Sequence, residues 1–75
     1  MIKLDDQVIV YGYALEKRKD PREDRWYAFF NGVKMQVIDM NTEANCTTLL
    51  CREFDLNEGT IRDFNVHIGQ VRKAK

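Results

Sequence analysis

The run Arg25-Trp26-Tyr27-Ala28-Phe29-Phe30-Asn31-Gly32-Val33-Lys34-Met35-Gln36-Val37 sets an Asn-Gly pair between two β-prone stretches. Asn-Gly in that setting is a strong hairpin signal, because a type I′ turn needs positive φ at both central residues. A turn at Asn31-Gly32 would set Phe30 opposite Val33, Ala28 opposite Met35 and Trp26 opposite Val37. All six are apolar and share one face. The other face would pair Phe29 with Lys34 and Tyr27 with Gln36. The pattern therefore predicts a tight hairpin with Trp26 and Phe30 in the core and Tyr27 and Phe29 outside.

The flanking segments also read as β. Gln7 to Leu15 is rich in β-branched and aromatic residues and predicts a strand. If Val8 and Val10 point inward on it, Tyr11 and Tyr13 point outward. Glu16 to Asp24 is almost wholly charged, holds the only proline and offers nothing to bury, so it reads as a solvated connection. Asn41 to Asn45 interrupts the pattern and predicts a loop. Thr47 to Phe54 reads as a strand whose inward face is ambiguous at Leu49-Leu50. Asp55 to Gly59 reads as a tight connection.

Two readings compete for the C-terminal third. Thr60 to Val66 alternates, with Phe64 and Val66 on one face and Asp63 and Asn65 on the other, and Ile68 to Val71 then suits a short turn. Against this, Ile61, Phe64, Ile68 and Val71 fall at helical spacing. The β-branched content and Gly59 and Gly69 favour strand and turn over a C-terminal helix in an α+β fold.

A chain of 75 residues with 44% apolar residues predicts one all-β domain with one core. Strand, long charged connection, hairpins, short turn and last strand in that order resemble the SH3-like barrels, including the KOW-type and phage-encoded ones. The ending Phe64-Asn65-Val66-His67-Ile68-Gly69-Gln70-Val71-Arg72-Lys73 is similar to theirs, in which a strand runs through a one-turn helix into a basic terminal strand. The resemblance implies five to six antiparallel strands, and a small phage or bacterial modulator of a host factor. The chain departs from proline-peptide-binding SH3 domains. Ala14-Leu15 leads into Glu16-Lys17 rather than an aromatic-acidic stretch, and Trp26 has no second tryptophan beside it. An OB-fold is the other all-β candidate.

The chemistry on offer is sparse. Twelve basic and twelve acidic side chains cancel, which weighs against a general nucleic-acid binder. Acids gather at Asp39, Glu43, Glu53, Asp55 and Glu58, and bases at Arg72, Lys73 and Lys75. Cys46, Cys51 and His67 are too few for a structural zinc site, so no metal or other cofactor is expected. The odd spacing of the cysteines sets them on opposite strand faces, which predicts free thiols. With no leader pattern at Met1 to Asp6 and no apolar run long enough for a bilayer, a cytoplasmic protein without a membrane partner is expected. Asn45-Cys46-Thr47 fits the glycosylation pattern but is idle in that setting.

What remains is an aromatic surface. Tyr11, Tyr13, Tyr27 and Phe29, beside Lys34, form the expected binding face for a protein partner, unless barrel closure or a homodimer covers them. The rival is a nucleic-acid-binding barrel that stacks bases on these rings and holds phosphates with Lys34, Arg62, Arg72, Lys73 and Lys75. A third reading centres an enzyme on Cys51 and His67. The expectation is that the protein is not an enzyme.

Overall fold

The computed structural model describes residues 1–17, 26–55 and 59–74. Most of the charged connection and residues 56–58, both read above from sequence, lie outside the described residues. The fold is all-β, with strands β1 (Gln7–Glu16), β2 (Tyr27–Glu43), β3 (Cys46–Asp55), β4 (Thr60–His67) and β5 (Val71–Lys73), and a 3-10 turn at Ile68–Gln70 before β5. All pairings are antiparallel. The sheet order is β2-β3-β4-β1-β5, and β1 also pairs with β2, so the sheet closes on itself. The strand-and-turn reading of the C-terminal third holds, and the helical one does not.

Asn31-Gly32 is not a hairpin turn. β2 runs straight through it, 17 residues in one strand. Its first half pairs with β1, from Leu15–Tyr27 to Gln7–Gln36, and its second half with β3, from Gln36–Arg52 to Glu43–Cys46. Between Val10–Val33 and Tyr11–Asn31 the register steps, leaving Gly32 as an extra residue with φ +84°. The pair forms a β-bulge, which bends and twists the strand. Only Gly32 takes positive φ, whereas a type I′ turn would need it at Asn31 as well.

The facing pattern nevertheless survives. A two-residue turn and a one-residue bulge both invert strand parity, so even-numbered residues before Asn31 and odd-numbered residues after it point the same way. Phe30, Met35 and Val37 are buried, and Ala28 and Val33 pack partly against the same core. Trp26 is the exception. It precedes β2, its backbone carbonyl accepts from Glu16 N at the end of the ladder (2.8 Å), and it is 57% exposed.

A two-residue turn of the kind expected at Asn31-Gly32 occurs thirteen residues later, at Ala44-Asn45, between paired Glu43 and Cys46. Both residues take positive φ, +48° and +65°. The loop expected at 41–45 is thus two residues, and Asn41 to Glu43 belong to β2. A second bulge at Ile38, between the Val37–Cys51 and Asp39–Leu50 pairs, inverts parity again and turns Met40 toward the core.

The core is formed by Val8, Val10 and Ala14 of β1, Phe30, Met35 and Val37 of β2, Leu49 and Cys51 of β3, and Phe64 and Val66 of β4. Phe30 and Phe64 meet edge to face with centroids 4.8 Å apart, a geometry that complements the ring quadrupoles. Leu49 faces in and Leu50 out, which resolves the ambiguity of that dipeptide.

β1 changes partner along its length. Val8 to Val10 pair with β5, and Leu15 and Glu16 pair with β4. Gln70 of the 3-10 turn bridges the interval. Its Nε2 donates to the carbonyls of Tyr11 (3.1 Å) and Tyr13 (2.7 Å), and its Oε1 accepts from the His67 amide (2.9 Å). His67 Nδ1 accepts from Gly69 N at 2.9 Å and completes a capping box. His67 is therefore built into the turn that starts β5.

Candidate aromatic interface

The expected binding residues lie on one surface. Directly opposed residues of an antiparallel pair share a face. The outward positions of β1 are Gln7, Ile9, Tyr11, Tyr13 and Leu15, and they oppose Gln36, Lys34, Asn31, Phe29 and Tyr27 of β2 in that order. Tyr11, Tyr13, Tyr27, Phe29 and Lys34 are thus brought together on the outside of the β1–β2 ladder. Tyr13 is 68% exposed, Phe29 63%, Tyr27 57% and Tyr11 39%. Closing the barrel does not cover them.

Two contacts order this surface. Tyr13 and Phe29, a directly opposed pair, have ring centroids 5.0 Å apart and planes tilted by 60°. Tyr11 carries the Arg72 guanidinium over its ring, 5.6 Å from the centroid, within cation–π range. Arg72 arrives from β5, where it opposes Ile9. Tyr11 also lies over the bulge: a Cβ at Gly32 would sit 3.4 Å from Tyr11 Cε1. The glycine lets the ring pack down onto the backbone.

Leu15 and Arg72 also belong to this surface; neither was among the residues expected to dock a protein, and Arg72 entered only as a phosphate contact of the rival reading. Leu15 was legible, since it continues the alternation of Tyr11 and Tyr13. Arg72 was visible only as part of a basic tail, because its position depends on β5 returning beside β1.

The other candidate chemistry does not assemble. Cys51 opposes Phe64 inside the core, while His67 opposes Thr48, three pairs along the same ladder. Burial pushes the Cys51 thiol up to about 11, the wrong direction for a nucleophile. Cys46 is exposed beside the Ala44-Asn45 turn, and both thiols are free. Among the described residues no group of three or more His, Cys, Asp or Glu side chains is placed to hold a metal ion, and no helix is long and apolar enough to cross a membrane. The bases of the rival nucleic-acid reading do not form one cluster: Lys34 and Arg72 flank Ile9 on the aromatic face, and the others lie elsewhere or are paired. Arg62 bonds Glu53 (2.9 Å) and lies over Phe64 on β4, and Lys73 pairs with Asp6 (3.6 Å). Lys75 lies outside the described residues. Arg52, hydrogen-bonded to Asp63, is held above the ordinary guanidinium range by that bond and by the carboxylate's charge.

No family model matches this chain, and neither the curated proteins nor the solved structures yield a match.

Proposed function

We propose that this protein is a non-catalytic interaction module that docks a protein partner on the outer face of its β1–β2 ladder. The observation that carries this reading is the group of four exposed aromatic side chains on facing strand positions, Tyr11, Tyr13, Tyr27 and Phe29. Their inner-face neighbours on the same strands are already packed in the core, so these rings are not needed to fill it. An aromatic residue buries 150–250 Å² when covered, so the exposed fractions here offer roughly 450 Å². A partner in a standard interface covers about 800 Å² per side, of which this patch supplies more than half. Aromatic anchors of this kind dominate interface energetics.

The strand order and the 3-10 turn before β5 support an SH3-like barrel as the scaffold, and the two unjoined thiols are in keeping with a reducing, cytoplasmic setting. The surface suits a small modulator of another protein, such as a phage or bacterial modulator of a host factor, better than an enzyme.

The test compares immobilised wild type with Tyr13→Ala/Phe29→Ala, its fold checked by circular dichroism, for capture of proteins from the source cell. The expected result is a protein retained by wild type and lost from the variant. Identical capture by both would remove the face as a docking site. A wild type that sediments as a dimer while the variant sediments as a monomer would mean that a second copy covers the rings.

A further inference from the structure

Charge on the aromatic face is one-sided. Its outward positions on β1, on Tyr27 to Gln36 of β2 and on β5 carry Lys34 and Arg72 and no carboxylate. Elsewhere in the barrel the described strand cations are matched: Arg52 bonds Asp63, Arg62 bonds Glu53 and Lys73 pairs with Asp6. Among the described residues, neither Lys34 nor Arg72 has an acidic partner. Both oppose Ile9, Lys34 from β2 and Arg72 from β5. At ordinary strand spacing this sets their backbones about 10 Å apart, bracketing Ile9. The Tyr13–Phe29 pair lies four residues further along β1, roughly 13 Å away. The face therefore has a cationic end and an aromatic end.

Resting on the docking face proposed above, we propose that its occupant is an extended acidic peptide segment of a partner protein. An apolar or aromatic side chain of that segment packs on Tyr13 and Phe29. An Asp or Glu about four residues away is held between Lys34 and Arg72, since an extended chain covers that distance in about four residues. Arg72 is held in place by its stacking on Tyr11, so less side-chain freedom is lost when it meets a carboxylate. A single-stranded nucleic acid fits less well. Its phosphates repeat along the whole strand, and the outward positions at the aromatic end, Tyr13, Leu15, Tyr27 and Phe29, hold no cation. The 60° tilt between Tyr13 and Phe29 also gives no pair of parallel stacking platforms.

The experiment selects a displayed library of random peptides, about twelve residues long to span the face, against the purified protein. The best peptide is then titrated by fluorescence anisotropy. Titrations use wild type, Lys34→Ala/Arg72→Ala and Tyr13→Ala/Phe29→Ala, each shown to be folded by circular dichroism, and a labelled oligo-dT strand is titrated alongside. The expected result is enrichment of Asp or Glu about four residues from an aromatic or large aliphatic residue. Affinity should fall roughly tenfold without the two cations and be lost without the two rings. Enriched peptides without acids, or ones indifferent to Lys34→Ala/Arg72→Ala yet lost with the rings, would overturn the acidic assignment and leave the docking face standing. Peptide binding that survives loss of the rings would overturn the docking face itself. Oligo-dT bound more tightly than any peptide, with a steep salt dependence, would reassign the face to nucleic acid. A library that yields no enriched peptide would overturn the linear acidic segment.

Discussion

Gly12 and Gln70 are fitted to each other: a Cβ at residue 12 would stand 3.0 Å from the Gln70 Nε2 that bonds the carbonyls on either side of it. The barrel needs this fit because β1 leaves β5 after Val10 and meets β4 only at Leu15. One side-chain amide takes the place of a strand across that interval.

Gly12→Ala should therefore lower stability by about 2 kcal/mol, from its φ of +84° and from displacement of Gln70. Gln70→Ala removes two donated bonds and should cost about 1–3 kcal/mol. In a double-mutant cycle by urea denaturation the two changes should be less than additive, because the clash disappears with the glutamine. Strict additivity would show that Gln70 does not need the missing Cβ.

Gly32→Val should destabilise by about 2 kcal/mol or more, since a β-branched residue is strained at φ +84° and its side chain would press on the Tyr11 ring. The nuclear Overhauser pattern of wild type distinguishes bulge from hairpin. Tyr11 should show contacts to Asn31, and Phe30 and Val33 should show none of the cross-strand backbone contacts that a two-residue turn would create.

Ala44 occupies the left-handed region at φ +48°, where its Cβ is unfavourable by about 1 kcal/mol. Ala44→Gly should stabilise the protein by up to that amount and raise Tm by a few degrees, roughly 4–8 °C per kcal/mol for a chain of this size. Asn45, at φ +65°, needs no such relief because asparagine tolerates that region. An unchanged or lower Tm would mean that the Ala44-Asn45 turn has another geometry.

Phe64 is fully buried, and Phe64→Ala should remove about 3–5 kcal/mol, close to the whole stability of a small domain. Tyr13→Ala/Phe29→Ala gives up mainly one exposed ring pair, about 1 kcal/mol, and should stay folded. Trp26→Ala should behave like the second variant, because Trp26 is 57% exposed. Chemical denaturation of the three variants checks this order, and a Trp26→Ala loss as large as that of Phe64→Ala would contradict it.

The thiols should differ in reactivity and in pH response. Cys46, exposed, should react with Ellman's reagent within minutes at pH 8, and Cys51 only as the protein unfolds. The Cys51 pKa rises from 9.0 to about 11 because burial disfavours the thiolate. A raised folded-state pKa means that this contribution is complete below the unfolded pKa and is lost as pH climbs from about 9 through 11. Cys51→Ala should flatten that alkaline decline in denaturation midpoint, and an equally steep decline in the variant would exclude the thiol as its source.

Much of this arrangement was legible in residue order. Val8 and Val10 against Tyr11 and Tyr13 announce the two faces of β1, and Phe64 and Val66 those of β4. Asn31-Gly32 announced a parity change but not which device makes it. Turn and bulge differ in whether the chain reverses, and that depends on whether β1 lies beside Tyr27 to Gln36. The loop at 41–45 was legible, but nothing local marked Ala44-Asn45 as its two turn residues, because alanine is a poor residue for positive φ and is held there by the pairing of Glu43 with Cys46. Trp26 was misassigned because its composition suits a core, while its position falls one residue before β2 begins. Tyr11, Tyr13, Tyr27 and Phe29 were found through alternation alone. Arg72 joined them only through a partner strand distant in sequence.

The bulge makes Gly32 unusual among strand residues. Losing one residue from a strand ordinarily turns everything beyond it inside out. Here Tyr11 opposes Asn31 and Val10 opposes Val33, so a chain lacking Gly32 would join two residues whose partners are already adjacent. Phe30 and Val33 would stay inside, and Phe29 and Lys34 outside. Such a deletion would take away only the local coil of the strand, the curvature by which one continuous β2 leaves β1 and reaches β3. Gly32 thus sets how far the barrel wraps, and the face each neighbour shows is already decided without it.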